Sequence, residues 1–240
     1  RSLLKTPAVA GLTIATNALV ICGVALIASI VIGVVLDPGP YREPDRVLGL
    51  QYTAPSIQNP RIYFPLEDYE TLRDATAGEQ GVFEEVLALG VAYVMMTGAA
   101  EPAHLNAGVM SGQTFARLGV APLLGRVLTA ADDRPGAAPV LVIGGEIWRH
   151  SFGSDPSAVG RVVRIDGVPH TIVGVMPPAF TWGVLTAWMP LRMDLYAGPT
   201  GRFVQIAGWL KPGTSEARAR DQVQRVMDGF AARGDTTYPR

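Results

Sequence analysis

The pattern of apolar and polar positions divides the 240-residue chain into one long apolar run and a longer body of mixed pattern. Residues 8–36 include no charged side chain, and about 20 apolar residues are enough to cross a bilayer. The run therefore predicts a transmembrane helix. A buried core helix is one alternative. A cleaved signal peptide is another, but its apolar part would be only about 7–15 residues long and would end at small residues.

Charges on either side of the run predict its orientation. Arg1 and Lys5 precede it with no acid between them, whereas acidic and basic residues are mixed in residues 37–46. Under the positive-inside rule this favours a cytoplasmic N-terminus and an exported body. Cys22 is the only cysteine and lies inside the run, so we expect no disulfide in the body.

The first part of the body predicts a strand, a helix and further strand. Residues 48–52 are mainly apolar and follow a proline-rich exit from the membrane. Residues 64–75 carry an apolar residue at every third position, and Pro65 suits a first helical turn. Residues 82–98 hold enough apolar and β-branched residues for one or two strands.

The middle and the end of the body give the clearest local signals. In residues 162–175, two β-branched runs flank Asp166-Gly167, a dipeptide that suits a hairpin turn with positive φ at both positions. Residues 203–210 predict a strand, and residues 214–234 predict an amphipathic helix.

This order of elements predicts an α+β fold behind a transmembrane helix. Residues 45–99 and 200–234 contain both strands and helices. Residues 100–199 between them are rich in strands and loops. We therefore expect an α+β domain that is split by a mostly β insertion.

Composition and motifs argue against several function classes. A formal net charge of -1 offers no basic patch for nucleic acid. The chain has neither the glycine-rich P-loop of ATP-binding proteins nor a Gly-x-Ser-x-Gly nucleophile elbow. His104, His150 and His170 are far apart in the sequence, and we expect structural roles for them. We predict no catalytic residue, no bound metal and no cofactor, and hence no enzyme.

Asp132 and Asp133 are the best candidates for metal binding. Adjacent carboxylates can bind a cation or share a proton. The segment around them, residues 129–136, also fits an ordinary turn in which side chains cap the backbone, and this is the preferred interpretation. Glu84 and Glu85 form a second acidic pair, which we expect to be solvated.

Four tryptophans raise the question of a ligand or docking platform. Trp209 lies in a predicted strand and is expected in the core. Trp182 and Trp188 lie in residues 180–190, a segment that could form an exposed flap. These two are the candidates for docking a partner protein.

Four segments together resemble the periplasmic core of MacB-like and FtsX-like ABC transporter permeases. Residues 152–180 contain Phe-Gly-x-Asp-Pro, Val-Gly-Arg, a hairpin and Val-Gly-Val-x-Pro-Pro-x-Phe in succession. Residues 114–136 are similar to the family's Phe-x-x-Leu-Gly-Val-x-Pro-x-x-Gly-Arg segment. Residues 40–47 resemble its post-membrane linker, and residues 209–223 resemble its closing strand and helix. The segments follow the family's order and cover nearly the whole chain.

The resemblance implies a porter-like α+β domain that is split by the β insertion. It also implies a single span of this fragment in the inner (cytoplasmic) membrane and a periplasmic body. Three further spans would follow, so the chain is expected to be a fragment of a longer permease. The implied partners are a cytoplasmic ABC ATPase on a separate domain or subunit, the lipid bilayer, a second copy in a homodimer and a periplasmic adaptor protein. The expected function is the coupling of cytoplasmic ATP hydrolysis to periplasmic conformational change during export. The alternative is a membrane-anchored module that recruits or activates a partner without transporting a substrate.

Overall fold

A computed structural model describes residues 44–53, 61–180, 182–192 and 203–232. The predicted transmembrane helix, residues 8–36, lies outside these ranges. Within them, no helix combines the length and the apolar character that crossing a bilayer requires. Asp45–Arg240 forms one compact unit.

The described part of this unit is a large mixed sheet with helices packed on it. The strands are β1 Val47–Gly49, β2 Phe64–Pro65, β3 Phe83–Thr97, β4 Ala103–Met110, β5 Leu124–Gly125, β6 Val140–Ile143, β7 Val162–Ile165, β8 Val168–Val175, β9 Ala187–Pro190 and β10 Phe203–Leu210. The helices are α1 Leu66–Thr76, α2 Thr114–Leu118, α3 Gly145–Phe152 and α4 Glu216–Ala232.

Local sequence signals predicted about half of these elements. The predicted helix at 64–75 is α1, and the predicted hairpin is β7–β8, with Asp166 and Gly167 at φ 47° and 86°. These values confirm a turn with positive φ at both positions. Residues 82–98 form one long strand, β3, rather than two. α4 is capped as its sequence suggests, because Ser215 Oγ accepts from the Arg218 N–H at 3.3 Å.

Six strands pair in a closed circuit, which we call the barrel. β3 pairs with β4, β4 with β9, β9 with β6, β6 with β8, β8 with β7, and β7 returns to β3. The β4–β9 and β6–β8 pairs are parallel, and the other four are antiparallel. Because the circuit closes, each of these strands has a partner on both sides over part of its length, which protects its edges.

Alternation along the strands places one face of each inside the barrel. The buried apolar side chains of that face form a single core cluster. Its strand members are Ala92, Val94, Met96, Leu105, Ala107, Val109, Leu141, Ile143, Val163, Ile165, Ile172, Val175, Ala187 and Met189. Most of these side chains are β-branched or small, so they fill a narrow interior without polar atoms.

The other part of the sheet, which we call the open sheet, consists of β1, β2, β10 and the first half of β3. β10 is its central strand and pairs with the other three. α1 and α4 contact each other and cover one face. The core beneath them includes Leu66, Tyr69, Leu72, Val86, Ala88, Val204, Ile206, Ala219, Met227 and Phe230.

β3 belongs to both parts. Val86 contributes to the core under the helices. Ala92, six residues further along the strand, contributes to the barrel core. The subdomain boundaries near residues 99 and 200 stay a prediction, because this strand continues from one core to the other without a break.

Candidate functional site: the entry clamp and the edge groove

Two arginines tie the start of the body to its central strands. Arg46 directly precedes β1, and its Nη2 donates to Leu210 O at 2.6 Å and to Glu84 Oε2 at 2.6 Å. Arg117 of α2 donates to Glu84 Oε1 at 3.1 Å and also to Glu85. We call Arg46, Glu84, Glu85 and Arg117 the entry clamp. It links the first described residues of the body to β3, β10 and α2.

The clamp corrects the expectation that Glu84 and Glu85 are simply solvated. Glu85 keeps only 11% of its side chain exposed, because Arg117 lies against it. The hydrogen bond from Arg46, and then that from Arg117, hold the pKa of Glu84 below its usual value. No local sequence signal joins these residues, since Arg117 is 32 positions beyond Glu85.

A groove lies between β1 and α4. Its volume is about 320 Å³. One wall is formed by residues 48–53, in β1 and just after it, together with Phe83 of β3. The other wall is a stripe along α4, formed by Glu216, Ala219, Arg220, Val223, Gln224 and Met227. We call it the edge groove.

The predicted docking tryptophans occupy different environments. Trp188 lies in β9 with 1% exposure, in an aromatic cluster with Phe115 and Phe180 at ring distances of 5.9 and 5.3 Å. Trp188 is therefore not part of an exposed flap, because Phe115 of α2 and the side chains of Phe180, Trp182 and Leu185 pack around it. Trp182 is half-buried and packs edge-on against Phe180. Val184, a large apolar residue of the same segment, is 65% exposed.

Both carboxylates of the acidic pair Asp132–Asp133 accept hydrogen bonds from other groups of the chain. Asp132 accepts from Arg126 at 2.7 and 2.8 Å and from both the N–H and the hydroxyl of Thr129. Asp133 accepts from the Gly112 N–H at 2.7 Å and the Leu191 N–H at 3.2 Å. The pair therefore fixes a turn, as the preferred interpretation of the sequence predicted. Among the described residues, no group of three side chains is arranged to hold a metal ion.

The same two carboxyls differ in their pKa shifts. Burial raises the pKa of Asp133 to about 6, although the Gly112 and Leu191 N–H groups oppose the shift. Burial also opposes ionisation of Asp132, but there the hydrogen bonds from Arg126 and Thr129 prevail and lower the pKa.

The histidines lie in three separate places. His104 and His150 are exposed, and His150 is 3.4 Å from Glu146. His170 is buried in β8, where its Nδ1 lies 2.9 Å from Val168 O and burial lowers its pKa. The three do not form a site together.

A family model described as the MacB-like periplasmic core domain matches residues 10–226. The chain belongs to this family. It is thus a periplasmic core domain of the ABC transporter permease family, as the four sequence segments predicted.

Solved structures agree with this fold. The periplasmic region of MacB from Actinobacillus actinomycetemcomitans is 16% identical, with a TM-score of 0.59 over 78% of this chain and 84% of that chain. The extracellular domain of the noncanonic ABC-type transporter YknZ from Gram-positive bacteria is also 16% identical, with a TM-score of 0.58 over 78% of this chain and 95% of that chain. No curated protein matched the sequence.

In this MacB-like core, the residues that carried the resemblance have structural positions. Asp155 accepts from the Ser157 N–H at 2.9 Å and from Arg161 Nη2 at 2.8 Å, which closes the turn before β7. Arg126 of the other motif holds Asp132. The family motifs therefore mark turns that build the barrel.

Proposed function

We propose that this chain supplies the first membrane helix and the periplasmic core of a permease in a MacB-like ABC export system. In this proposal, ATP is hydrolysed on a separate cytoplasmic domain or subunit, and this chain has no catalytic role of its own. Two copies work together in the bilayer. The observation that carries the proposal is the entry clamp, because it offers a rigid route for motion into the body.

The route starts at Arg46, ten positions after the end of the predicted span at residue 36. ATP-driven closure in the cytoplasm would tilt the membrane helix and pull on the segment that leads to Arg46. Arg46 is bonded to β10 through Leu210 and to β3 through Glu84. β3 continues into the barrel, so displacement of the clamp would displace both parts of the body together.

A distance measurement between two copies tests this coupling. Cys22 is replaced by serine, and Val162, an exposed residue of β7, is replaced by cysteine to carry a spin label in the reconstituted complex with the ATPase. We expect the inter-label distance to change on ATP binding, and Arg46→Ala to reduce that change. Arg225→Ala, at an exposed position of α4, is the matched control.

Two results would count against the proposal. One is a distance that does not respond to ATP in the parent protein. The other is an Arg46→Ala variant that responds like the Arg225→Ala control, because motion would then enter the body by another route. Unchanged ATP turnover in both variants would show that the cytoplasmic half of the complex is intact.

The alternative is that the domain recruits or activates a periplasmic partner, such as an adaptor, without moving a substrate. An exposed apolar pair favours a docking surface on the barrel. Tyr93 of β3 is 71% exposed and Val184 is 65% exposed, and Asn106, which is paired with Tyr93, donates to Val184 O. Val184→Ser and Trp182→Ala should then each reduce co-purification of the partner. Undiminished co-purification would argue against this surface.

A further inference from the structure

The carboxylate of Asp133 ties together the ends of two neighbouring barrel strands. Its Oδ2 accepts from the Gly112 N–H at 2.7 Å, and its Oδ1 accepts from the Leu191 N–H at 3.2 Å. Gly112 lies two residues after the end of β4, and Leu191 directly follows β9. These strands are parallel neighbours in the barrel. One side chain therefore holds the backbone at the points where it leaves both strands.

This tie lies where the barrel meets the open sheet. Ser111, next to Gly112, accepts from the Ala88 N–H of β3 at 2.9 Å, and its Oγ lies 3.1 Å from the Tyr69 hydroxyl of α1. Leu191 is partly buried and packs against both the barrel core and the core under the helices. Release of Leu191 would therefore loosen the contact between the two parts of the body.

Each N–H uses a different oxygen of Asp133, so the tie depends on the protonation state of this carboxyl. An ionised carboxylate accepts through both oxygens, whereas a protonated carboxyl keeps one carbonyl oxygen as an acceptor and turns the other into a hydroxyl donor. A single proton therefore removes one of the two bonds. The bond from Leu191 is the longer of the two, so we expect it to be the one that is lost.

We propose that Asp133 is an acid-sensitive tie at the junction of the barrel and the open sheet. When ionised it holds the ends of both strands, and when protonated it releases Leu191. The release makes the junction more compliant in acid, in a domain that lies outside the cytoplasm. This inference does not depend on coupling to ATP hydrolysis.

The charged and titratable groups around Asp133 set the pH at which the tie responds. Burial raises the pKa of Asp133 to about 6, and the charge of Asp132, which is bonded to Arg126, adds to the rise, whereas Arg192, just after β9, opposes it. Tyr69 of α1 stays neutral, because burial raises the pKa of its hydroxyl. Protonation of Asp133 removes a partly buried charge, which stabilises the fold as a whole even though one local bond is lost.

Hydrogen exchange of single amides in the purified whole chain in detergent tests the release. The protection of the Leu191 amide, corrected for the intrinsic effect of pH on exchange, is measured at about pH 4.5 and about pH 7.5, on either side of the pKa of about 6. We expect about tenfold lower protection at the acid pH, because an amide that loses its acceptor exchanges more readily. The Ile172 amide of β8 donates to Arg161 O and should not change.

The variant Asp133→Asn separates the effect of Asp133 from that of every other titrating group. Asparagine has one acceptor oxygen at any pH, so it resembles the protonated side chain. The protection of Leu191 in this variant should be low and equal at both pH values. Asp155→Asn, in the separate turn before β7, is the matched control and should respond like the parent.

Three results would overturn the proposal. The first is equal protection of Leu191 at both pH values in the parent. The second is a response to pH in Asp133→Asn that matches that of the parent. The third is the same acid loss of protection at Ile172 as at Leu191, because the whole barrel would then loosen. If Asp133→Asn does not fold, the difference between Leu191 and Ile172 in the parent still decides.

Discussion

The barrel and the open sheet share β3, yet they differ in whether their strands have a partner on both sides. The barrel pairs every strand on both sides and fills its interior with apolar side chains. The open sheet ends at β1, which pairs only with β10 among the described strands. A groove lies between β1 and α4, and the Arg46–Glu84 ion pair lies next to the start of β1. Closure protects a structure from contact with other chains. We therefore expect the barrel to be the more rigid of the two parts.

Truncation of one buried leucine in each part should give the largest effect and tests this difference in rigidity. Leu141 in β6 and Leu72 in α1 are both 0% exposed. Leu→Ala in a core costs about 2–5 kcal/mol, and the cost is highest where neighbours cannot collapse into the cavity. We expect about 4 kcal/mol for Leu141→Ala and about 2.5 kcal/mol for Leu72→Ala, since a helix can shift and a closed barrel cannot.

Urea unfolding of the whole chain, followed through tryptophan fluorescence, measures both costs. Val162→Ala, at an exposed position of the barrel, is the control and should change the free energy of unfolding by less than about 0.5 kcal/mol. If Leu72→Ala proves as costly as Leu141→Ala, or costlier, the open sheet is packed as rigidly as the barrel.

The next effect concerns the turn that Asp132 holds on the outside of the barrel. Asp132→Ala leaves Arg126 and the Thr129 N–H without their acceptor. We expect a loss of about 1–2 kcal/mol, because hydrogen bonds to a charged group are stronger than neutral ones but part of this site is open to water. Asp155→Ala, in the exposed turn before β7, should cost less. Equal losses would show that the burial of Asp132 is unimportant.

The contributions of the neighbouring carboxyls Asp132 and Asp133 to stability should change with pH in opposite directions. The pKa of Asp133 is raised to about 6 in the fold, so its neutral form is favoured. Its contribution to stability is greatest below its ordinary pKa and is lost as pH rises through about 6. The pKa of Asp132 is lowered, so its contribution is present above its ordinary pKa and is lost as pH falls through the lowered value.

The free energy of unfolding of the parent and of each single variant, measured as a function of pH, shows the direction of each contribution. The stability of the parent relative to Asp133→Asn should fall as pH rises from about 4 to about 7. Relative to Asp132→Asn, parent stability should instead rise with pH in the acid range, and level off once Asp132 is ionised in both states. Two differences with the same sign would contradict the assigned environments.

The comparison also shows what sequence reasoning could find. The β7–β8 hairpin follows from local chemistry, because Asp166 and Gly167 suit positive φ and β-branched runs flank them. Closure of the barrel depends on the pairing of Met96 with Ile165, which no local pattern encodes. Trp188 lies in a segment that could form a flap or a strand, and only the packing of Phe115 and Phe180 against it decides between them.

The sequence did not predict the entry clamp either, because its contacts are also made between residues far apart in the chain. Glu84 and Glu85 look like an ordinary solvated pair in the sequence, and each acquires its arginine only through tertiary structure. The groove beside β1 was likewise invisible, because its two walls are separated by more than a hundred residues. The family resemblance supplied the fold that contains these sites but did not assign roles to them.

The smallest effect should come from the clamp itself. Glu84 is 41% exposed, and exposed ion pairs usually contribute about 0–1 kcal/mol, because solvent screens them and ordering the side chains costs entropy. We therefore expect Glu84→Gln to change the free energy of unfolding by less than about 1 kcal/mol, while it weakens the link between Arg46 and Arg117. Urea unfolding at low and high salt measures this. A loss of more than about 2 kcal/mol would place the clamp among the residues that hold the fold together. A small loss, combined with a reduced ATP-dependent distance change in the spin-label assay, would show that the clamp transmits motion without stabilising the domain.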